Sequence, residues 1–176
     1  QQRLVYERYP RMRPYDKHLF MSVTKAYVAF LIAMLQAQGR LDISQSVDEI
    51  LPETCGSGWQ GVSLQDVLDM ASGIDAPEEP EGFTNPNHPY YGYEASLGWL
   101  PPLGQGEPLH QGWPPRQAEP GDTYAYVAGL KRKSPPGRAY EYTSLNTFIL
   151  AWIAERLSGQ PLAELLAQEI WSRIGA

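Results

Sequence analysis

The segment from Ser22 to Gln38 constrains the fold most, because it is apolar on nearly every face of the helix that it predicts. A helix of this kind is expected at the centre of a hydrophobic core and not on the surface. Gly39 follows directly and is suited to ending a helix in the left-handed conformation. With 176 residues, 43% of them hydrophobic, the chain can build such a core, and we predict a single domain over residues 1–176.

Only the first few residues carry the pattern of a β-strand. Residues 3–9 are rich in β-forming side chains of alternating polarity, and Pro10 ends the run. Ser63, with Asp66 three residues later, predicts instead an N-capped helix that ends near Gly73. The chain therefore predicts many helices and about one strand.

The last third of the chain predicts two further helices. Ser144 or Asn146 can cap the first, which ends at Gly159. Pro161 then suits the first turn of the second. We expect a single, largely helical domain, since no linker divides the sequence.

Residues 75–121 lack a regular pattern and hold most of the sixteen prolines. They also contain the aromatic residues Phe83, Tyr90, Tyr91, Tyr93, Trp99 and Trp113. Long irregular stretches in compact domains are usually binding loops or lids, and a disordered insertion is the alternative. So many aromatic side chains are costly to leave in water. We therefore interpret the stretch as substrate-binding, with Tyr90, Tyr91 and Tyr93 as candidate lining residues.

The tetrapeptide Ser22-Val23-Thr24-Lys25 has the form S-x-x-K. Residues three apart lie on one face of a helix, so the serine and lysine side chains can touch. A desolvated lysine can accept the serine proton and thereby activate the hydroxyl as a nucleophile. The alternative is an N-cap serine followed by a lysine that extends to solvent. The motif is a weak signal by itself, because serine and lysine often have this spacing by chance.

Several function classes are disfavoured by composition. The formal net charge is −6 and the densest basic cluster is only residues 131–133, which argues against nucleic acid and anionic membranes as partners. His18, His88 and His110 lack the spacing of metal ligands, so we expect no metal and no cofactor. The single Cys55 excludes an internal disulfide. No window approaches the roughly 18 apolar residues of a membrane span.

Four landmarks occur in order along the chain. They are Ser22–Lys25 with the preceding His18, Gly39–Asp42, Leu68–Gly73 and Pro136–Thr147. Together they resemble the class C β-lactamase and penicillin-binding-protein superfamily, in which S-x-x-K is followed by a Y-x-N motif and a helix. The resemblance implies an α+β, β-lactamase/transpeptidase-like fold, of which this chain would supply mainly the helical part and an N-terminal strand.

The resemblance also implies roles for individual residues. Ser22 would be acylated by the substrate, Lys25 would share its proton, and Tyr142 would carry the proton to the leaving group. From the residues alone, a core aromatic beside Tyr140 is the preferred interpretation of Tyr142. Ser144 stands where β-lactamases place asparagine, with Asn146 two residues later, and both are candidate substrate-binding residues. Ser144 would donate a hydrogen bond to substrate or lysine, and the alternative for Asn146 is that it only caps the helix. This pattern resembles the esterase and 6-aminohexanoate-oligomer hydrolase branch.

The resemblance predicts a hydrolase of small esters or amides, but a third motif, K-[ST]-G or H-x-G, is missing after Tyr142. In the superfamily this motif lies on a strand that completes the oxyanion hole. We therefore expect a piece of a longer protein. The alternative is a noncatalytic penicillin-binding-like module, or an inactive fragment, that binds a peptide or cell-wall ligand. The sequence leaves the substrate, oligomeric state and compartment open.

Overall fold

The computed structural model describes Arg3 and residues 5–100 and 122–175. Within these residues the helices are α1 (Thr24–Ala37), α2 (Val47–Ile50), α3 (Leu64–Leu68), α4 (Pro89–Ser96), α5 (Thr123–Ala128), α6 (Ser144–Ser158), α7 (Leu162–Leu166) and α8 (Ser172–Ile174). Short 3₁₀ turns cover Met21–Val23, Pro52–Thr54 and Pro80–Phe83, and a π-helical turn covers Ala167–Trp171. No helix among these residues is both long and apolar enough to span a membrane.

Helices α1 and α6 pack against each other and form the centre of the core. Helix α1 buries Val28, Leu31, Ile32 and Leu35, and α6 buries Leu145, Ile149, Leu150 and Ile153. This confirms that α1 is a core helix. One apolar side chain of α1 nevertheless faces away from the core, since Phe30 is 53% exposed.

The predicted N-terminal strand does not form in the described residues. Val5 and Tyr6 are 91% and 74% exposed, so no neighbour supplies the hydrogen bonds that a strand needs. The β-pairing found within the described ranges is limited to two isolated bridges, Ser46 with Ser63 and Ile74 with Arg132. A β-forming composition was misleading here, because a strand is stable only beside another strand.

The helix ends follow local side-chain chemistry. The Ser63 hydroxyl accepts a hydrogen bond from the Asp66 N–H at 3.1 Å, which confirms the predicted cap of α3. At α6 the cap is Thr143, whose hydroxyl accepts from the Leu145 N–H, so the helix begins one residue after Thr143 and not at a Ser144 or Asn146 cap. Gly39 takes a φ of +69° immediately after Gln38, the C-cap of α1.

Part of the stretch predicted to be irregular is helical. Helix α4 lies within it, and the His88 ring accepts a hydrogen bond from the Tyr90 N–H while Pro89 occupies the first helical position. Histidine is not among the favoured N-caps, so the start signal was not recognised. Trp113 lies outside the described residues.

Helix α5 holds α4 in place. The Tyr126 hydroxyl donates to the Pro89 carbonyl at 2.6 Å, and the indole N–H of fully buried Trp59 donates to the Val127 carbonyl at 2.8 Å. Trp59 thus fixes α5, which in turn fixes the helix that carries Tyr90.

The loop after α3 runs alongside the segment that leads into α6. The Glu141 N–H donates to the Met70 carbonyl at 2.7 Å, and the Glu78 N–H donates to the Tyr142 carbonyl at 3.2 Å. These bonds bring Glu78 beside the Tyr142 backbone, although the two residues are far apart in sequence.

Replacing Gly73 in this loop by alanine is expected to destabilise the protein strongly. Gly73 has a φ of +74°, which strains an L-residue by about 1–3 kcal/mol. An added Cβ would also meet the Ser134 carbonyl oxygen. Gly61→Ala is the matched control, because its φ is +71° but open space surrounds it. Chemical denaturation should show a larger decrease in the free energy of unfolding for Gly73→Ala than for Gly61→Ala. Equal decreases would contradict a steric role for Gly73.

Candidate active site

Ser22 and Lys25 touch at the start of α1. Ser22 lies on the 3₁₀ turn Met21–Val23, and Lys25 lies in the first turn of the helix. The Lys25 Nζ donates to the Ser22 Oγ at 3.0 Å. The serine is exposed and the lysine half-buried, so the hydroxyl is open to a substrate while its partner is partly shielded from water.

The backbone just before the nucleophile candidate is strained. Met21 has a φ of +48°, in the left-handed region that residues other than glycine rarely occupy. Such strain costs about 1–3 kcal/mol and concentrates at functional sites. The sequence carried no signal for it, since methionine does not favour this conformation.

Tyr142 lies on the other side of Lys25. The Lys25 Nζ is 4.9 Å from the centroid of the Tyr142 ring, within the range of a cation–π contact. The Lys25 head group therefore contacts both Ser22 and Tyr142, which are 120 positions apart in the sequence. The structure thus brings together the three residues that the sequence predicted to be catalytic.

Ser22 and Lys25 border a cleft of about 360 Å³, and Tyr142 is not part of its described lining. Its described lining comprises Leu19, Met21, Ser22, Thr24, Lys25, Glu78, Phe83, Tyr90, Tyr93, Glu94, Leu97, Trp99 and Ser144. Tyr90, Tyr93 and Ser144, which the sequence suggested as substrate-binding, therefore lie on the wall of the cleft. Aromatic and aliphatic side chains make most of that wall, as is usual for small-molecule sites.

Two other suggested residues lie elsewhere. Tyr91 is buried and is not part of the described lining, and burial raises its pKa. Asn146 is completely buried in the first turn of α6, where its amide nitrogen donates to the Met70 sulfur at 3.3 Å. Its amide oxygen has no hydrogen-bond partner among the residues described. Neither side chain reaches the described wall of the cleft.

Glu78 was not recognised from the sequence. Its Oε2 accepts hydrogen bonds from both the Ser144 N–H, at 3.0 Å, and the Ser144 hydroxyl, at 2.6 Å. The two residues are 66 positions apart, so no local spacing could have indicated the pair. The carboxylate therefore determines how Ser144 faces the cleft.

Glu94 was also missed, and it adds a second carboxyl group to the wall. Burial raises its pKa, and the charge of Glu78 acts in the same direction, while a hydrogen bond to Tyr90 and the charge of Lys25 oppose the shift. Burial likewise raises the pKa of Tyr90 and Tyr93. The Lys25 side chain therefore shares the cleft with two acidic side chains, Glu78 and Glu94.

A larger hollow, of about 660 Å³, is lined in part by Cys55, Asp122, Tyr124 and Trp152. We place the candidate site in the smaller cleft, because there a potential nucleophile contacts a potential base. No group of three or more potential metal-binding side chains was found within the described ranges.

The sequence profile of the β-lactamase family matches residues 1–176. Among curated proteins, the 6-aminohexanoate-dimer hydrolase of Paenarthrobacter ureafaciens is 33% identical over 163 residues, which is 93% of this chain and 37% of that protein. The chain therefore spans little more than a third of the length of this relative.

Solved structures share the fold. A candidate 6-aminohexanoate-dimer hydrolase from Bacillus anthracis superposes with a TM-score of 0.68 at 24% identity, covering 88% of this chain and 37% of the other. A class C β-lactamase superposes with a TM-score of 0.58 at 21% identity, covering 88% and 33%. These likenesses support a β-lactamase/transpeptidase-like fold, although the described residues contain almost no strand. With the family profile matching its whole length, the chain belongs to the β-lactamase family.

Proposed function

We propose that the protein containing this chain is a serine hydrolase that cleaves ester or amide bonds through an acyl-enzyme on Ser22. The observation that carries the proposal is the 3.0 Å contact between the Lys25 Nζ and the Ser22 Oγ at the edge of the cleft. A serine hydroxyl needs a partner that accepts its proton, and an uncharged lysine at this distance can do so.

The reaction follows from these positions. Lys25 takes the Ser22 proton while the Oγ attacks the substrate carbonyl carbon and forms a tetrahedral intermediate. When that intermediate collapses, the bond to the leaving group breaks, and Tyr142 supplies the proton that this group takes up. The proton is replaced from Lys25, which contacts the Tyr142 ring. Water then hydrolyses the acyl-enzyme by the same steps in reverse order and releases the carboxylic acid.

The proposed substrate class is based on the lining of the cleft and on the similarity to a hydrolase of known name. The Paenarthrobacter ureafaciens protein is named for hydrolysis of the 6-aminohexanoate dimer. Tyr90 and Tyr93 give this cleft an aromatic wall that can cover a short acyl chain. We therefore propose a small linear amide or the corresponding ester as substrate, with no cofactor.

Labelling with a fluorophosphonate probe tests the proposal. The whole protein, together with any chain that flanks these 176 residues, is expected to gain the mass of one probe phosphonyl group, and peptide mapping should place it on Ser22. Ser22→Ala should remove the label, because only an activated serine reacts with the probe. Ser172→Ala, which removes an exposed helical serine, is the matched control and should label normally.

A protein that is folded by circular dichroism but stays unlabelled would contradict the proposal. That result would favour the other function considered from the sequence, a noncatalytic module that binds a peptide or cell-wall ligand.

A further inference from the structure

The Ser144 hydroxyl group lies in a fixed direction. Its Oγ is 2.6 Å from the Glu78 Oε2, and the Ser144 N–H reaches the same oxygen at 3.0 Å. A carboxylate only accepts hydrogen bonds, and a hydroxyl has a single proton to donate. The Ser144 proton is therefore used on Glu78.

This orientation decides what Ser144 offers to a substrate. Ser144 lines the cleft together with Ser22 and Lys25. With its proton directed at Glu78, the oxygen offers only lone pairs, which it shares between the neighbouring Tyr90 hydroxyl and a bound molecule. Ser144 is thus an acceptor, whereas the sequence suggested a donor.

Glu78 is held firmly enough to impose this direction. Its N–H donates to the Tyr142 carbonyl at 3.2 Å, and two residues earlier the Ala76 carbonyl accepts from the Thr143 hydroxyl at 2.8 Å. Thr143 and Ala76 are both buried. The carboxylate is therefore anchored to the same segment that it orients.

We propose that Glu78 is a positioning residue that makes Ser144 a hydrogen-bond acceptor for the N–H group of an amide substrate, so that the cleft prefers amides to esters. An ester has no N–H at the scissile bond, and it would leave the Ser144 oxygen facing the ester oxygen, which is also only an acceptor. This inference rests on the function proposed above, because it assumes that the substrate is bound beside Ser22.

Glu78 could instead serve only to stabilise the start of α6, since it accepts the N–H of the first helical residue. Loss of a purely structural contact lowers the amount of active protein and reduces every activity equally. The ratio of amide to ester hydrolysis does not depend on the active fraction. That ratio therefore separates positioning from stability.

The test uses the whole protein with two substrates of the same acyl group, hexanoyl p-nitroanilide and p-nitrophenyl hexanoate. In Ser144→Ala the ratio of kcat/KM for amide over ester is expected to fall about tenfold, the loss typical of one hydrogen bond. Ser144→Ala retains the backbone N–H that Glu78 caps, so the start of α6 keeps its partner. Glu78→Ala is expected to lower the ratio by a similar factor.

The double variant Glu78→Ala/Ser144→Ala should show no further fall in the ratio, because both changes remove one interaction. Glu78→Gln, which keeps an acceptor oxygen, is expected to retain most of the wild-type ratio of amide to ester hydrolysis. An unchanged ratio in Ser144→Ala, or a fall in Ser144→Ala without one in Glu78→Ala, would overturn the inference. If Glu78→Ala does not fold, the ratios of Ser144→Ala and Glu78→Gln still decide whether Glu78 positions Ser144.

The two proposals fail in different ways. A folded protein that is not labelled by the probe and hydrolyses neither substrate contradicts the proposed function. A protein that is labelled on Ser22 but shows the same ratio in every variant contradicts only the role of Glu78.

Discussion

Replacing Lys25 by methionine is expected to slow the acylation of Ser22 by about 10²- to 10⁴-fold, the range associated with loss of a general base. Methionine keeps the length and the apolar stem of lysine but has no amine to accept the Ser22 proton. The Nζ lies 3.0 Å from the Oγ, a distance that permits direct transfer. The rate of fluorophosphonate labelling, followed by intact mass, measures the effect without requiring a known substrate.

Two comparisons sharpen this experiment. Ser22→Ala/Lys25→Met should be no slower in ester hydrolysis than Ser22→Ala alone, because the two residues act as one unit. Lys131→Met changes an exposed lysine and should label at the wild-type rate. Wild-type labelling of a folded Lys25→Met variant would rule out Lys25 as the base.

Replacing Trp59 by alanine is expected to lower the free energy of unfolding by about 3–5 kcal/mol, as other buried Trp or Phe truncations do. Trp59 is fully buried and its indole N–H donates to the Val127 carbonyl at 2.8 Å. Whole domains are stable by only about 5–15 kcal/mol, so this single change removes a large share. Chemical denaturation of the whole protein measures the loss.

Trp59→Phe removes the hydrogen bond but only part of the side-chain volume. It should therefore cost less than Trp59→Ala, and the lost bond contributes only about 0.5–1.5 kcal/mol because the Val127 carbonyl still accepts from the Leu130 N–H. Trp99→Ala is the control, since Trp99 is 58% exposed and should change stability little. A Trp59→Ala variant as stable as Trp99→Ala would contradict the place of Trp59 in the core.

Trp59→Ala is also expected to disturb the cleft. Trp59 supports α5, and α5 holds α4 through the bond from Tyr126 to Pro89. Loosening α5 should therefore displace Tyr90 and Tyr93, although Trp59 itself is not in the described lining. We expect esterase activity to fall in Trp59→Ala before the protein unfolds.

Local spacing was sufficient to predict several features. S-x-x-K places its serine and lysine on one side of a helix start, and Ser63 with Asp66 caps α3 as expected. These features depend on residues within one helical turn of each other. Backbone geometry alone brings such residues together.

Predictions that needed a distant partner were less successful. Residues 3–9 have the composition of a strand, but no described neighbour pairs with them. Tyr91 and Tyr93 looked equivalent in the sequence, yet only Tyr93 lies on the described wall of the cleft, because two positions along a helix rotate the side-chain direction by about 200°.

The sequence by itself determined the core helix, the Ser22–Lys25 pair and the order of motifs that mark the β-lactamase family, since each depends on short-range spacing or on order along the chain. Only the tertiary structure decided that Tyr142 lies against Lys25 and that Glu78 directs the Ser144 proton. These contacts join residues 66 or more positions apart. Their geometry depends on how the loop after α3 lies against the segment entering α6, which no local pattern encodes.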